Sequence, residues 1–234
     1  MDEEDSPLSP NHEEPTRNHK WLMLVFKGII IVFVVSALAA LSSPMVIRSK
    51  KRGPLSEATF HTKQIGLVLN SFEDEYGSYP NESTLGLVNE NNTDSVYDCS
   101  GKSSNASFRQ FMKAGITESE SLFYANIKGS IKPDQIIITS EALKKGEVGF
   151  SYISGLTSKD DPSTPLILTP LIPGSTKFDP KPFEGKAIIL RIDQTTRVYT
   201  IAKDGHVYDD KGIDILSPSH PIWKGKAPDI RYPE

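Results

Sequence analysis

Three hydrophobic patterns follow one another along the chain. The first is an unbroken apolar run: residues 21–47 read WLMLVFKGIIIVFVVSALAALSSPMVI, with Lys27 as the only charge. A helix rises about 1.5 Å per residue, so about 20 apolar residues cross a ~30 Å hydrocarbon layer. The run predicts a transmembrane helix over 21–47, with the lipid bilayer as its partner and Lys27 close enough to one end to reach the headgroups. A cleaved secretory signal would open on basic residues and close on a small-residue cleavage site. Here residues 1–20 are acidic and no clear site precedes the basic block at 48–52, so the helix reads as retained.

The second pattern is helical. Gly53-Pro54 is expected to interrupt the chain, with Ser56 as a cap. Ala58, Ile65, Val68, Leu69, Phe72 and Tyr76 then form one apolar stripe, while Lys63, Asn70, Glu73 and Asp74 point elsewhere. Gly77 supplies a left-handed stop and Pro80 forbids continuation. Glu73-Asp74-Glu75 is therefore the solvated end of an amphipathic helix, with Glu75 at its margin. Residues 81–104 are polar and read as loop. A short helix carrying Phe108, Phe111 and Met112 ends at Gly115. Another follows, with Thr117 and Glu120 spaced as a capping box, and 140–145 makes one more turn closed by Gly146.

The third pattern is short runs of β-branched and aromatic residues at 148–153, 166–171, 186–192 and 197–201. Asp193-Gln194-Thr195-Thr196 is short enough to join the last two as a hairpin. Pro162, Pro165, Pro170, Pro173, Pro180 and Pro182 should keep the first strands at edges or in loops. Together these patterns predict an α+β fold, a long N-terminal helix packed on an antiparallel β-meander.

Charge narrows the function. The net charge is −4. Asp2, Glu3, Glu4, Asp5, Glu13 and Glu14, against Arg17 and Lys20, account for all of it within an acidic, disordered tail at 1–20. The neutral remainder offers no basic face for nucleic acid. Cys99 is the only cysteine, which excludes an intrachain disulfide. Arg48, Lys50, Lys51 and Arg52 slightly outnumber Arg17, Lys20 and Lys27, which by itself would place the C-terminal side of the span in the cytoplasm.

Candidate chemistry is sparse. His61, His206 and His220 lack zinc-site spacing and read as surface or capping residues. Ser151 sits in GFSYISG, which is not the Gly-x-Ser-x-Gly elbow, and Cys99 has no histidine close by in sequence to activate it. Asn81, Asn91 and Asn105 open N-glycosylation patterns of low specificity. The best metal candidate is Asp204 to Asp214, DGHVYDDKGID, a glycine-containing acidic loop suited to calcium. EF-hand spacing is missing, so it reads as a turn after a strand. No catalytic, cofactor or metal residue is assigned.

The stretch KQIGLVLNSFEDEYGSYP (63–80), behind an apolar helix and ahead of a meander, resembles the bacterial type IV pilins and type II secretion pseudopilins. ALAALSSPMVIR (37–48) is similar to the lower half of a pilin membrane helix, with Pro44 as its helical proline. KAIILRIDQTTRVYTIAKDGHV (186–207) and IWKGKAPDIRYPE (222–234) resemble the end of a pseudopilin-like subgroup. The resemblance implies a non-enzymatic, single-pass protein of the bacterial inner membrane. Its pilin-like domain at 55–234 would lie on the periplasmic side and meet other envelope or secretion-system proteins. Some major pseudopilins bind calcium in a C-terminal loop, but the loop at 204–214 here still reads as a plain turn, with no metal assigned. The chain departs from the family pattern in its acidic leader, in Gly28 followed by Ile29-Ile30-Ile31, and in having no acid between Trp21 and Ile47. The expectation is an uncleaved anchor. The alternative is a membrane-tethered binding or sensor module unrelated to secretion.

Overall fold

The computed structural model describes residues 17–92, 96–137 and 142–234; between 17 and 52, side chains are described at 21–34 and 36. The chain divides into two units, Met1–Ser49 and Lys50–Glu234. In the first, helix α1 (Arg17–Tyr76) begins, and every side chain from Trp21 to Val34 is exposed. Among the described residues no helix is long and apolar enough to cross a membrane. The expected acidic tail at 1–20 and the later half of the expected span at 37–47 lie outside the described side chains.

In the second unit α1 keeps helical backbone at Gly53-Pro54, where an interruption was expected. A proline removes its own amide donor and crowds the turn before it, yet the helix runs on through the turns that follow. Thr59 and Thr62 donate their hydroxyls to the carbonyls of Leu55 and Ala58, each at 2.7 Å. The stripe is seated as its spacing predicts: Ala58, Ile65, Leu69, Phe72 and Tyr76 are buried and Val68 is partly so. Gly77, at φ +78°, ends the helix by donating to the Glu73 carbonyl at 2.7 Å.

The segment read as loop contains helix α2 (Glu82–Asn91). Its start is a capping box, in which Asn81 accepts from the amides of Ser83 and Thr84 while Thr84 accepts from the Asn81 amide. Only Thr84 and Val88 are buried along α2, too few for a visible apolar stripe. Helix α3 (Ser104–Lys113) places Phe108, Phe111 and Met112 in the core, as expected. The capping box expected at Thr117 and Glu120 does not form. Glu120 opens a four-residue 3-10 turn, Glu120–Phe123, and turns inward, while Thr117 accepts from the Ser119 amide at 3.3 Å.

Five antiparallel strands form one sheet in the order β4-β3-β2-β1-β5. They are β1 (Ser151–Ile153), β2 (Pro165–Thr169), β3 (Lys186–Arg191), β4 (Thr196–Thr200) and β5 (Ile230–Arg231). The first four make the predicted meander. The prolines do not confine β1 and β2 to edges, since β2 is central and β1 lies between β2 and β5. Pro165 is the first residue of its strand, at a register shift against β3, so its missing donor interrupts no regular ladder.

Both faces of the sheet are covered. Side chains alternate along a strand, so Ile188 and Leu190 of β3 join the core under α1 and α3, while Ala187 and Ile189 join a second core. That second core is closed by the C-terminal segment, with Val207, Leu216 and Trp223, and Trp223 donates to the Ile215 carbonyl at 2.8 Å. A Cβ at Gly66 would stand 3.3 Å from the Leu190 methyls, so α1 lies close against β3 there. Asn70 tethers α1 to the turn between β3 and β4 by accepting from Gln194 at 2.9 Å.

Candidate functional site

The acidic loop singled out in the sequence, 204–214, is braced by its own donors. Asp204 accepts from the His206 amide at 3.1 Å and the Tyr208 hydroxyl at 2.6 Å. Asp209 accepts from the amides of Lys211 and Ile213 at 2.9 and 2.8 Å, and its other oxygen faces His220 at 3.3 Å. Asp214 lies 2.8 Å from His206 Nδ1, an ion-pair distance without hydrogen-bond alignment. The Tyr208 hydroxyl beside Asp204, and the Ile213 amide beside Asp209, hold both carboxyls below the usual range. The arrangement is that of a self-braced turn.

The other single residues have structural surroundings. His61 Nδ1 lies 2.8 Å from the Tyr124 carbonyl. Cys99 is buried, and that burial pushes its thiol up to about 11, so the nucleophilic thiolate is scarce at neutral pH. Ser151 is buried within β1. Asn105 is buried too, donating to the Leu143 carbonyl at 2.8 Å and accepting from the Glu234 amide at 3.0 Å. Asp74 and Glu75 are exposed, as expected. Glu73 is not simply solvated: it accepts from the Ser158 amide at 2.8 Å and tethers a loop 85 residues away. With burial as the larger cause, it also pushes the Tyr79 hydroxyl up to about 12.

The constellation that sequence spacing does not reveal is Glu120, Asp134 and Glu147. One carboxylate oxygen from each lies within 4.8 Å of the others. Glu120 comes from the 3-10 turn, Asp134 from the extended segment after it, and Glu147 from the approach to β1. Gly149 brings this approach against the turn, because a Cβ there would fall 2.6 Å from the Ala125 nitrogen. The Gly149 amide donates to the Phe123 carbonyl at 2.9 Å, fixing the two segments together.

Glu120 and Glu147 are completely buried and Asp134 is exposed. Glu147 accepts from the Lys144 amide at 2.9 Å and the Asp134 amide at 3.4 Å. Glu120 Oε1 accepts from the Leu143 amide at 2.8 Å, but Oε2 is buried with no hydrogen-bond partner. Lys144 Nζ lies 2.5 Å from Asp134 and 4.0 Å from Glu147. Burial, and then the neighbouring Glu120 charge, raise the Glu147 carboxyl above the usual range. Two adjacent buried carboxylates are costly unless a cation and hydrogen bonds compensate them. The visible clue in the sequence is slight: Glu147 stands directly beside Val148, and Glu120 two residues ahead of Leu122, both destined for the core.

A cleft of about 500 Å³ is lined by Ile127, Val148, Leu171 and Ile172 with Lys145 and Glu234. No protein-family model, no curated protein and no solved structure matches the chain.

Proposed function

We propose that the protein is a membrane-anchored, pilin-like structural or interaction protein of a bacterial envelope, acting through protein contacts in or beside a type II secretion or type IV pilus-like system. One observation carries the reading. The stretch 63–80 forms the end of a long helix, and its stripe of Ile65, Leu69 and Phe72 is buried in one core with Ile188 and Leu190 of an antiparallel meander. Ahead of it stands a helical segment with fourteen consecutive exposed side chains, 21–34, of which Lys27 alone is charged. Exposed apolar surface of that extent favours burial in lipid or against a partner. In this reading 21–47 is the anchor and 55–234 is the periplasmic, pilin-like domain. The anchor helix stays uncleaved.

The test is affinity purification of the full chain from detergent-solubilised membranes of its own host. Secretion-system or pilus components should co-purify in amounts close to the bait. Recovery in the soluble fraction after alkaline extraction of membranes would overturn the reading. A membrane-tethered binding module is the second reading, favoured by the 500 Å³ cleft. It predicts a bound small molecule and no secretion partners in the same preparation.

A further inference from the structure

We propose that Glu120, Asp134 and Glu147 bind a divalent cation, and that its geometry and donor chemistry select calcium. The inference rests on the cluster alone and is independent of the function proposed above. All three donors are hard carboxylate oxygens, without the nitrogen or sulfur ligands that zinc and copper favour. Calcium–oxygen distances of about 2.3–2.6 Å put opposite ligands of one ion roughly 4.6–5.2 Å apart. The three oxygens, none farther than 4.8 Å from another, therefore lie within the span of one calcium coordination sphere.

A second observation points to a ligand. Glu120 Oε2 is sealed from solvent and has no hydrogen-bond partner, a condition that buried polar atoms rarely tolerate. Its companion oxygen is held by the Leu143 amide, so the carboxylate cannot rotate away without losing that bond. Charge gives the same answer. The ammonium of Lys144 contacts two of the three carboxylates, Asp134 and Glu147. Among these four described groups the formal excess is two negative charges, which a divalent ion cancels. Asp134 lies at the exposed side, where water can complete the six to eight oxygens that calcium takes. Magnesium requires near-octahedral geometry at about 2.0–2.1 Å and gives up water reluctantly. Carboxylates already engaged with backbone amides on turns suit it less.

The experiment uses the full chain purified in detergent and stripped with EDTA. It is titrated with calcium chloride, and separately with magnesium chloride, by calorimetry and thermal melts. One calcium site is expected, with a Kd on the order of 10⁻⁴ M or tighter, a higher melting temperature in calcium, and magnesium about tenfold weaker or worse. Glu120→Gln keeps an acceptor for Leu143 and replaces the unpartnered oxygen. It should lose the calcium response while melting no lower than wild type in EDTA. Asp134→Asn changes an exposed residue, so it decides the matter if Glu120→Gln does not fold; its calcium affinity should fall about tenfold. Absence of calcium binding in the wild type, or wild-type affinity in both variants, would overturn the site. Magnesium binding as tight as calcium would overturn the choice of ion.

Discussion

At the scale of single residues, the buried carboxylate of Glu147 makes a pH-dependent prediction for the metal-free protein. Among the described residues, Glu120, Asp134 and Lys144 are the charged groups that face it. Its folded pKa is raised above the ordinary 4.5, by burial first and by Glu120 next. A raised carboxyl contributes stability that is fully present below the unfolded value and is lost as pH rises through the folded one. Removing the Glu120 charge shrinks that loss. In EDTA, the melting temperature of Glu120→Gln relative to wild type should therefore climb as pH rises above the ordinary carboxyl value of 4.5. A flat or falling difference in thermal melts would mean that the two carboxylates are not coupled. This chemistry was not legible in the sequence, because Glu120, Asp134 and Glu147 follow no spacing rule and only the tertiary fold brings them together. Glu120 was misread as half of a capping box for a related reason: the local pattern is the same whether the glutamate turns back to its own helix or inward.

Among the elements, the second half of α1 separates what the chain needs from what it merely carries. Phe72 is completely buried, stacked on Tyr76 at 4.7 Å and edge-on to Phe111 at 5.3 Å. Phe72→Ala should cost about 3–5 kcal/mol, since it loses transfer energy and leaves a cavity. Asp74→Asn and Glu75→Gln should stay within about 0.5 kcal/mol. Glu73→Ala should fall between them at roughly 1 kcal/mol, because the Ser158 amide loses its acceptor. Denaturant unfolding of the four variants ranks them, and a Phe72→Ala loss no larger than that of Glu73→Ala would refute the packing argument. The stripe itself was plain in the sequence, because burial on one side imposes a 3.6-residue period. Helix α2 was not, since it buries only two side chains and owes its start to a cap. The two residues of β5 are too few to show any period.

For the molecule as a whole, the proposed anchor sets an orientation that can be measured. The slight basic excess at 48–52 argues for a cytoplasmic domain, and the pilin resemblance argues for the opposite side. If the resemblance governs, protease added to intact spheroplasts should remove the domain at 55–234. Survival of the domain with loss of only the first twenty residues would reverse the assignment. The α+β class and the order of the meander were legible, because strands near one another in sequence pair as neighbours. The second core was not foreseen. It is closed by Val207, Leu216 and Trp223, isolated apolar residues in a polar, turn-rich segment whose burial depends on where β3 places its other face.

The position of β5 has a consequence for how the protein is made. Tyr152 of β1 finds its partner Arg231 only after about 80 further residues have been synthesised. At about 5–20 residues per second, one side of β1 waits roughly 4–16 s for the strand that covers it. Over the last part of that interval, once β4 has been made, the nascent chain holds a four-stranded meander with an open flank, the form most easily captured by a chaperone or a neighbouring strand. The flank of β1 is thus covered late, by the last strand to be made. A chain exported during translation would reach its destination with that flank still open.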